Sequence, residues 1–298
     1  MSPMDSGRRI ARGSLEATFL PDLGMLGVSL RHRGEELLAL PGGLDGYRAR
    51  KVTGLPLLAP WANRLGERRY EVDGVVVDLA ALDLPTDPYG LPIHGTMTAQ
   101  PGWELLRANA SSLIARFDFG ARPDLLASFP FPHTLEIEAA MEPDALAVVT
   151  TLTATGDRAV PVGFGYHPYF HLPSVARADV RLSLPDRRHL ALDDHGLPTG
   201  GSDDEPAEDL PIGERTFDDH YELGADSRLA LTGGGRRVTL ELGEGYPYGQ
   251  VFAPPSAEFA CLEPMTARVN ALLDGGYPLA APGSPFTARF RLRVEDAA

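Results

Sequence analysis

An all-β fold of many short antiparallel strands is what this sequence predicts, and three observations carry that reading. Apolar and polar residues alternate with period two in segment after segment. Glycine and proline are abundant, at 32 and 27 residues. No long window joins a helical apolar period to capping residues. Period-two alternation puts every second side chain on one face, which suits strands burying a single face, and Gly and Pro supply the turns between them.

The elements follow in order. Residues 103–119 read as two strands broken near 109–112. Leu135, Ile137, Ala139 and Met141 alternate with polar neighbours, the turn Glu142-Pro143-Asp144-Ala145 follows, and Leu146, Val148, Thr150 and Leu152 resume the alternation. This is a hairpin pattern. Val180, Leu182 and Leu184 repeat it, as do Val238, Leu240 and Leu242 after Gly233-Gly234-Gly235, and Phe290, Leu292 and Val294 near the end. The acidic stretch 202–209, with Pro206 inside, reads as a solvated loop. No repeat or linker divides the composition, so residues 1–298 read as one domain, a sandwich or barrel whose sheets each bury one face.

Composition narrows the function. The formal charge of −14 disfavours nucleic acid, whose phosphates would be repelled, and no basic stripe offsets it. The single cysteine, Cys261, excludes an internal disulfide and a Cys-rich zinc site; in an apolar strand it reads as core rather than nucleophile. Residues 1–17 carry Arg8, Arg9 and Arg12 with no apolar run behind them, and no stretch approaches a membrane span. A cytoplasmic location is therefore expected, and Asn109-Ala110-Ser111 reads as a chance sequon.

Four segments hold polar residues that strand patterning does not explain. In Pro60-Trp61-Ala62-Asn63-Arg64-Leu65-Gly66, Asn63 and Arg64 follow an apolar run. A buried Arg needs a protein carboxylate or ligand oxygens. In Ile93-His94-Gly95, an imidazole sits beside a flexible glycine and is either structural or aimed into a cleft. In Gly163-Phe164-Gly165-Tyr166-His167-Pro168-Tyr169-Phe170, Pro168 removes a backbone donor, so His167 does not lie in the middle of a central strand. His167 and His171 could suggest a metal pair, but Pro168 and Pro173 oppose the helix that would align them. In Cys261-Leu262-Glu263-Pro264-Met265-Thr266, Glu263 is expected at a strand end, where partial burial would raise its pKa and improve it as a base. Dinucleotide, Walker and nucleophile-elbow templates all fail.

Taken in order, these segments resemble the aldose 1-epimerase (galactose mutarotase) family. Asn63-Arg64 with Gly66, Tyr70 and Gly74, His94-Gly95 with Trp103, and His167-Pro168-Tyr169-Phe170 are similar to its motifs. So are Phe217-Asp218 with Tyr221, Glu263-Pro264-Met265-Thr266 with Asn270-Ala271, and Ala281-Pro282-Gly283. The resemblance spans roughly residues 20–290. It implies a galactose mutarotase-like β-supersandwich, no metal or organic cofactor, and a small sugar as substrate for a monomer or homodimer. It further implies that Glu263 takes the proton of the anomeric hydroxyl while His167 protonates the ring oxygen. Asn63, Arg64, His94 and Asp218 would then bind the sugar. Two departures stand out: His171-Leu172-Pro173 replaces the usual Asn-Leu, and Asp219 directly follows Asp218. A hexose-6-phosphate epimerase would need cleft cations, for which Arg48, Arg50, Lys51, Arg68 and Arg69 are candidates. A sugar-binding module without catalysis would use the same fold.

Overall fold

A computed structural model describes residues 7–297; residues 1–6, part of the segment read above for a leader, and residue 298 lie outside it. Two large antiparallel sheets dominate, as the alternation predicts. The nine-stranded sheet runs in the order Glu208–Pro211, Arg181–Leu184, Arg228–Gly233, Arg236–Leu242, Phe286–Asp296, Ala145–Ala154, His133–Met141, Ser112–Asp118 and Glu104–Ala108. The eight-stranded sheet runs Pro198–Glu205, Arg187–Leu192, Phe217–Leu223, Tyr248–Ala253, Ala260–Met265, Gly165–Tyr166 and Leu57–Leu58, with Tyr169–Phe170 also paired to Ala260–Met265. A four-stranded sheet, Arg8–Arg12 through Glu35–Glu36, precedes both. The α-helices are short: Gly43–Arg48, Pro123–Leu126 and Ala271–Asp274. No helix among the described residues is long and apolar enough to cross a membrane.

The expected hairpin forms between His133–Met141 and Ala145–Ala154, with Met141 opposite Leu146. The break at 109–112 is also present. There the Asn109 carboxamide oxygen accepts the backbone N–H of Ser111 and Ser112, each at 2.9 Å, and closes the turn.

The large sheets face each other across one apolar core that includes Leu135, Phe164, Leu240, Leu262 and Phe290. Contacts across it are specific. The Tyr166 ring lies 5.1 Å from that of Phe290, and its hydroxyl bonds Thr150 Oγ1 at 2.6 Å, which satisfies two buried polar groups inside the core. Tyr221, Val251 and Leu262 point inward from the eight-stranded sheet. Their strand neighbours must therefore point to its outer face, where Asp218, His220, Gln250 and Glu263 lie.

Two expectations need correction. Residues 202–209 are not a loop: they finish the strand Pro198–Glu205 and begin Glu208–Pro211. These are edge strands of different sheets, and the chain passes between the sheets at Pro206. An edge strand exposed on its outer side carries charges without the alternation of a half-buried strand, and here they are paired, as in Arg187–Glu205 at 2.6 Å. Glu263, likewise, is not at a strand end. It lies within Ala260–Met265, opposite Gln250, and is buried rather than partly buried.

Candidate functional site

The break at His167-Pro168 creates the centre of the site. Gly165 pairs with Met265, and Tyr169 pairs with Cys261 on the same strand. Between these pairs the ladder is interrupted, Pro168 having no N–H to give, and the His167 N–H turns to Pro56 O at 3.3 Å. His167 consequently faces Glu263, with Nε2 3.2 Å from Oε1. His167 is 5% exposed and Glu263 1%.

Aromatic rings hold the imidazole. Tyr169 stacks on it at 4.5 Å and 11°, Phe252 meets it edge-on at 5.8 Å, and His94 does the same at 5.5 Å. Glu263 Oε2, His167 Nδ1 and His94 Nδ1 are buried without a hydrogen-bond partner in the protein. Orphaned buried polar atoms are rare and costly, so their clustering on one face marks a place built for an outside ligand.

His94 reaches this face through strained backbone. Its φ is 61° and that of Gly95 is 65°. A side chain on Gly95 would put Cβ 2.1 Å from Ala59 O, so only glycine fits. Asn63, φ 57°, is left-handed too, and its carbonyl accepts the His94 N–H at 2.9 Å. Its side-chain oxygen accepts from the Arg64 backbone N–H at 2.9 Å and from Arg64 Nη1 at 3.2 Å. Such conformations gather where surrounding structure enforces them, often at functional sites.

Arg64 meets the first of the two partners foreseen for a buried guanidinium, protein carboxylates. Nε donates to Asp87 Oδ2 at 2.9 Å, and Nη2 reaches Asp218 Oδ2 at 3.3 Å. Asp87 is itself fixed by the N–H groups of Tyr89 and Leu91. Asp218 accepts from Gln250 Nε2 at 2.7 Å. Its neighbour Asp219 points the other way, to His189 Nε2 at 3.3 Å, because adjacent strand residues face opposite sides. The geometry thus brings Asn63, Arg64, His94, His167, Asp218 and Glu263 to one face.

Other residues singled out in the sequence belong to packing. Trp103 lies against Phe117, the Tyr70 hydroxyl donates to Ser128 O, and Tyr221 lies under Arg187. Cys261 is buried beside the site; burial and the nearby Glu263 push its thiol far up, away from nucleophilic use. Arg48 and Arg50 are engaged by Asp45 and Asp83. Among the described residues no cluster of three or more His, Cys, Asp or Glu is arranged for a metal ion. Sequence reasoning missed Gln250 and Asp87. Gln250, a lone amide in Tyr248-Gly249-Gln250-Val251-Phe252, signals itself only once it is placed opposite Glu263.

Burial dominates the electrostatics. It raises Glu263 well above the ordinary carboxylate range, with Asp218 adding to the effect and Arg64 opposing it. It pushes His167 down to about 3, and holds His94 well below its usual value, helped by His167 and Arg64. Both members of the central pair are driven toward their uncharged forms. A proton shared between them would have only the 3.2 Å contact to cross.

The molecule is similar to several solved structures. A galactose mutarotase-like protein from Clostridium acetobutylicum is 19% identical with a TM-score of 0.82, over 97% of this chain and 95% of that one. An aldose epimerase homologue from C. elegans is 15% identical with a TM-score of 0.80, over 98% and 99%. A galactose 1-epimerase from Lactobacillus acidophilus is 14% identical with a TM-score of 0.77, over 97% and 93%. At these identities the likeness shows the fold, a galactose mutarotase-like β-supersandwich. No curated protein matches the sequence. The sequence profile of the aldose 1-epimerases, however, matches residues 20–291, nearly the whole of both large sheets, and the chain belongs to the aldose 1-epimerase family.

Proposed function

We propose that the chain interconverts the α and β anomers of a free aldohexose such as galactose or glucose by opening and reclosing its ring. The observation that carries this reading is the direct contact of two buried groups, His167 and Glu263, at 3.2 Å. Ring opening needs a base at the C1 hydroxyl and an acid at the ring oxygen together, near neutral pH. Glu263 takes the hydroxyl proton, the C1–O5 bond breaks, and His167 delivers its proton to O5. Rotation about C1–C2 turns the aldehyde over. The 5-hydroxyl then attacks, returning its proton to His167 as Glu263 protonates the new anomeric oxygen. The proton count of the pair is restored.

Arg64, His94 and Asp218 would hold sugar oxygens, with Asn63 fixing the Arg64 guanidinium, so that only C1 moves. Gln250 joins this group by its bond to Asp218. In the same reading residues 1–298 act as one cytoplasmic catalytic domain, monomeric or dimeric, with neither nucleic acid nor membrane as partner; the charge of −14 supports the exclusion of nucleic acid.

Polarimetry of freshly dissolved α-D-galactose and α-D-glucose tests the proposal. The wild-type protein is expected to speed the approach to the equilibrium rotation, and His167→Ala and Glu263→Ala to abolish the gain. Equal rates in all three proteins would reduce the site to a sugar-binding module. Activity confined to the 6-phosphate would identify a phosphosugar epimerase instead.

A further inference from the structure

The outer face of the eight-stranded sheet continues from Asp218 to a second cavity of about 280 Å³, lined by His220, Tyr248, Ser202, Arg188, Glu222 and Arg268 among others. Neither His167 nor Glu263 lines it. His220 is 1% exposed, and its ring is stacked on Tyr248 at 5.5 Å and 22°.

The protonation of His220 can be read from its neighbours. Gln250 gives its amide hydrogen to Asp218 Oδ1 at 2.7 Å, so its oxygen, 3.0 Å from His220 Nδ1, accepts. Nδ1 therefore carries the hydrogen, and Nε2 holds a lone pair. That nitrogen is buried with no partner in the protein. Burial also pulls the pKa of His220 down to about 4, so the ring stays neutral. The orphan is an acceptor, and its ligand must bring a donor.

Charge selects the donor's type. Arg188 is already shared by Asp204 at 3.4 Å and Glu222 at 3.6 Å. Glu222 and Arg268 also line the space, so charges of both signs face it and a neutral ligand suits it better than an ion of either sign, while the Tyr248 ring, stacked on His220 behind it, provides a flat wall. A space just under the roughly 300 Å³ at which sites for drug-sized ligands begin suits one small ring.

We propose that this cavity is a second binding site, separate from the His167–Glu263 pair, for a neutral polyhydroxylated ligand of monosaccharide size, one hydroxyl of which donates to His220 Nε2. Its occupant would be joined to the sugar-binding groups through the unbroken chain His220–Gln250–Asp218–Arg64. Occupancy at either end then biases the other by the same factor. The site does not depend on the catalytic reading.

Nitrogen NMR of histidine-labelled protein reads the orphan atom directly, with His220→Gln assigning its resonances. D-galactose, D-glucose and myo-inositol are the neutral probes, and inorganic phosphate is the anionic one. A neutral probe is expected to shift His220 Nε2 saturably, in wild type and in Glu263→Gln alike. Ser202→Trp, on an exposed edge strand, fills the cavity without touching the chain and is expected to remove the shift; Ser202→Gln is the milder obstruction if the indole unfolds the protein. No shift with any neutral probe overturns the proposal, as does a response to phosphate alone. A shift that survives both Ser202 variants also overturns it, since the signal would then be relayed from the catalytic face.

Discussion

His167 and Glu263 meet across a gap that Pro168 opens in the sheet, Nε2 to Oε1 at 3.2 Å. Their closeness is a product of strand register. The pairs on either side, Gly165 with Met265 and Tyr169 with Cys261, leave His167 no other partner position.

Glu263→Gln is expected to lower the rate of anomer interconversion by about a hundredfold or more, the usual scale for losing a general acid–base group. Its unfolding midpoint in urea should hardly move, because Gln replaces a carboxyl that burial already drives toward its uncharged form. Polarimetry and a denaturant titration on the same preparation check both parts. A large loss of stability with activity intact would contradict the assignment.

The pH dependence should be flat where an ordinary histidine titrates. Burial takes His167 down to about 3 and raises Glu263, so the pair keeps one proton across the neutral range. Initial rates are expected to vary by less than about threefold between roughly pH 5 and 8. An inflection near the unperturbed imidazole value of about 6.5 would refute the one-proton pair.

Gln250→Leu should act on binding more than on chemistry. It strips partners from the more exposed Asp218 Oδ1 and the buried His220 Nδ1 at once. The expected result is a rise in KM of roughly tenfold or more with a smaller fall in kcat. Saturation kinetics with galactose and glucose separate the two.

Acid should destabilise the fold before it unfolds it. His133, buried with Nδ1 2.7 Å from Phe131 O, is pushed by burial down to about 4. The unfolded chain, titrating near 6.5, binds more protons in between, so stability is complete above about pH 6.5 and drains away as pH falls toward 4. At about 1.4 kcal/mol per unit this amounts to roughly 3 kcal/mol from His133 alone. Urea titrations from about pH 7.5 to 4.5 should show the slope, and His133→Phe should reduce it by the share that His133 contributes beside the other buried histidines.

Gly95→Ala is expected to cost about 2 kcal/mol or more, since the added carbon would meet Ala59 O at 2.1 Å in a left-handed conformation. Activity should fall with it as His94 is displaced. A variant as stable and active as wild type would show that this contact relaxes freely.

The hairpin of residues 133–154 was legible because alternation and turn chemistry coincide there. His167 and Glu263 stood out because a histidine before proline and a glutamate in an apolar run make poor ordinary strand residues. The order of strands in the nine-stranded sheet was not legible: Arg181–Leu184 lies between Glu208–Pro211 and Arg228–Gly233, and no local pattern specifies such distant partners. Gln250 and Asp87 escaped notice for a related reason. A single polar residue in a strand or turn looks solvent-facing until register and folding set it against Asp218 or Arg64.

The passage between sheets at Pro206 has a consequence for how copies of the protein meet. Pro198–Glu205 and Glu208–Pro211 form one border of each large sheet, and Asp203, Asp204, Glu205, Glu208 and Asp209 line them. An open border is a template for pairing with another chain, and like charges along it discourage that pairing. Five carboxylates are thus stationed where edge-to-edge polymerisation would begin.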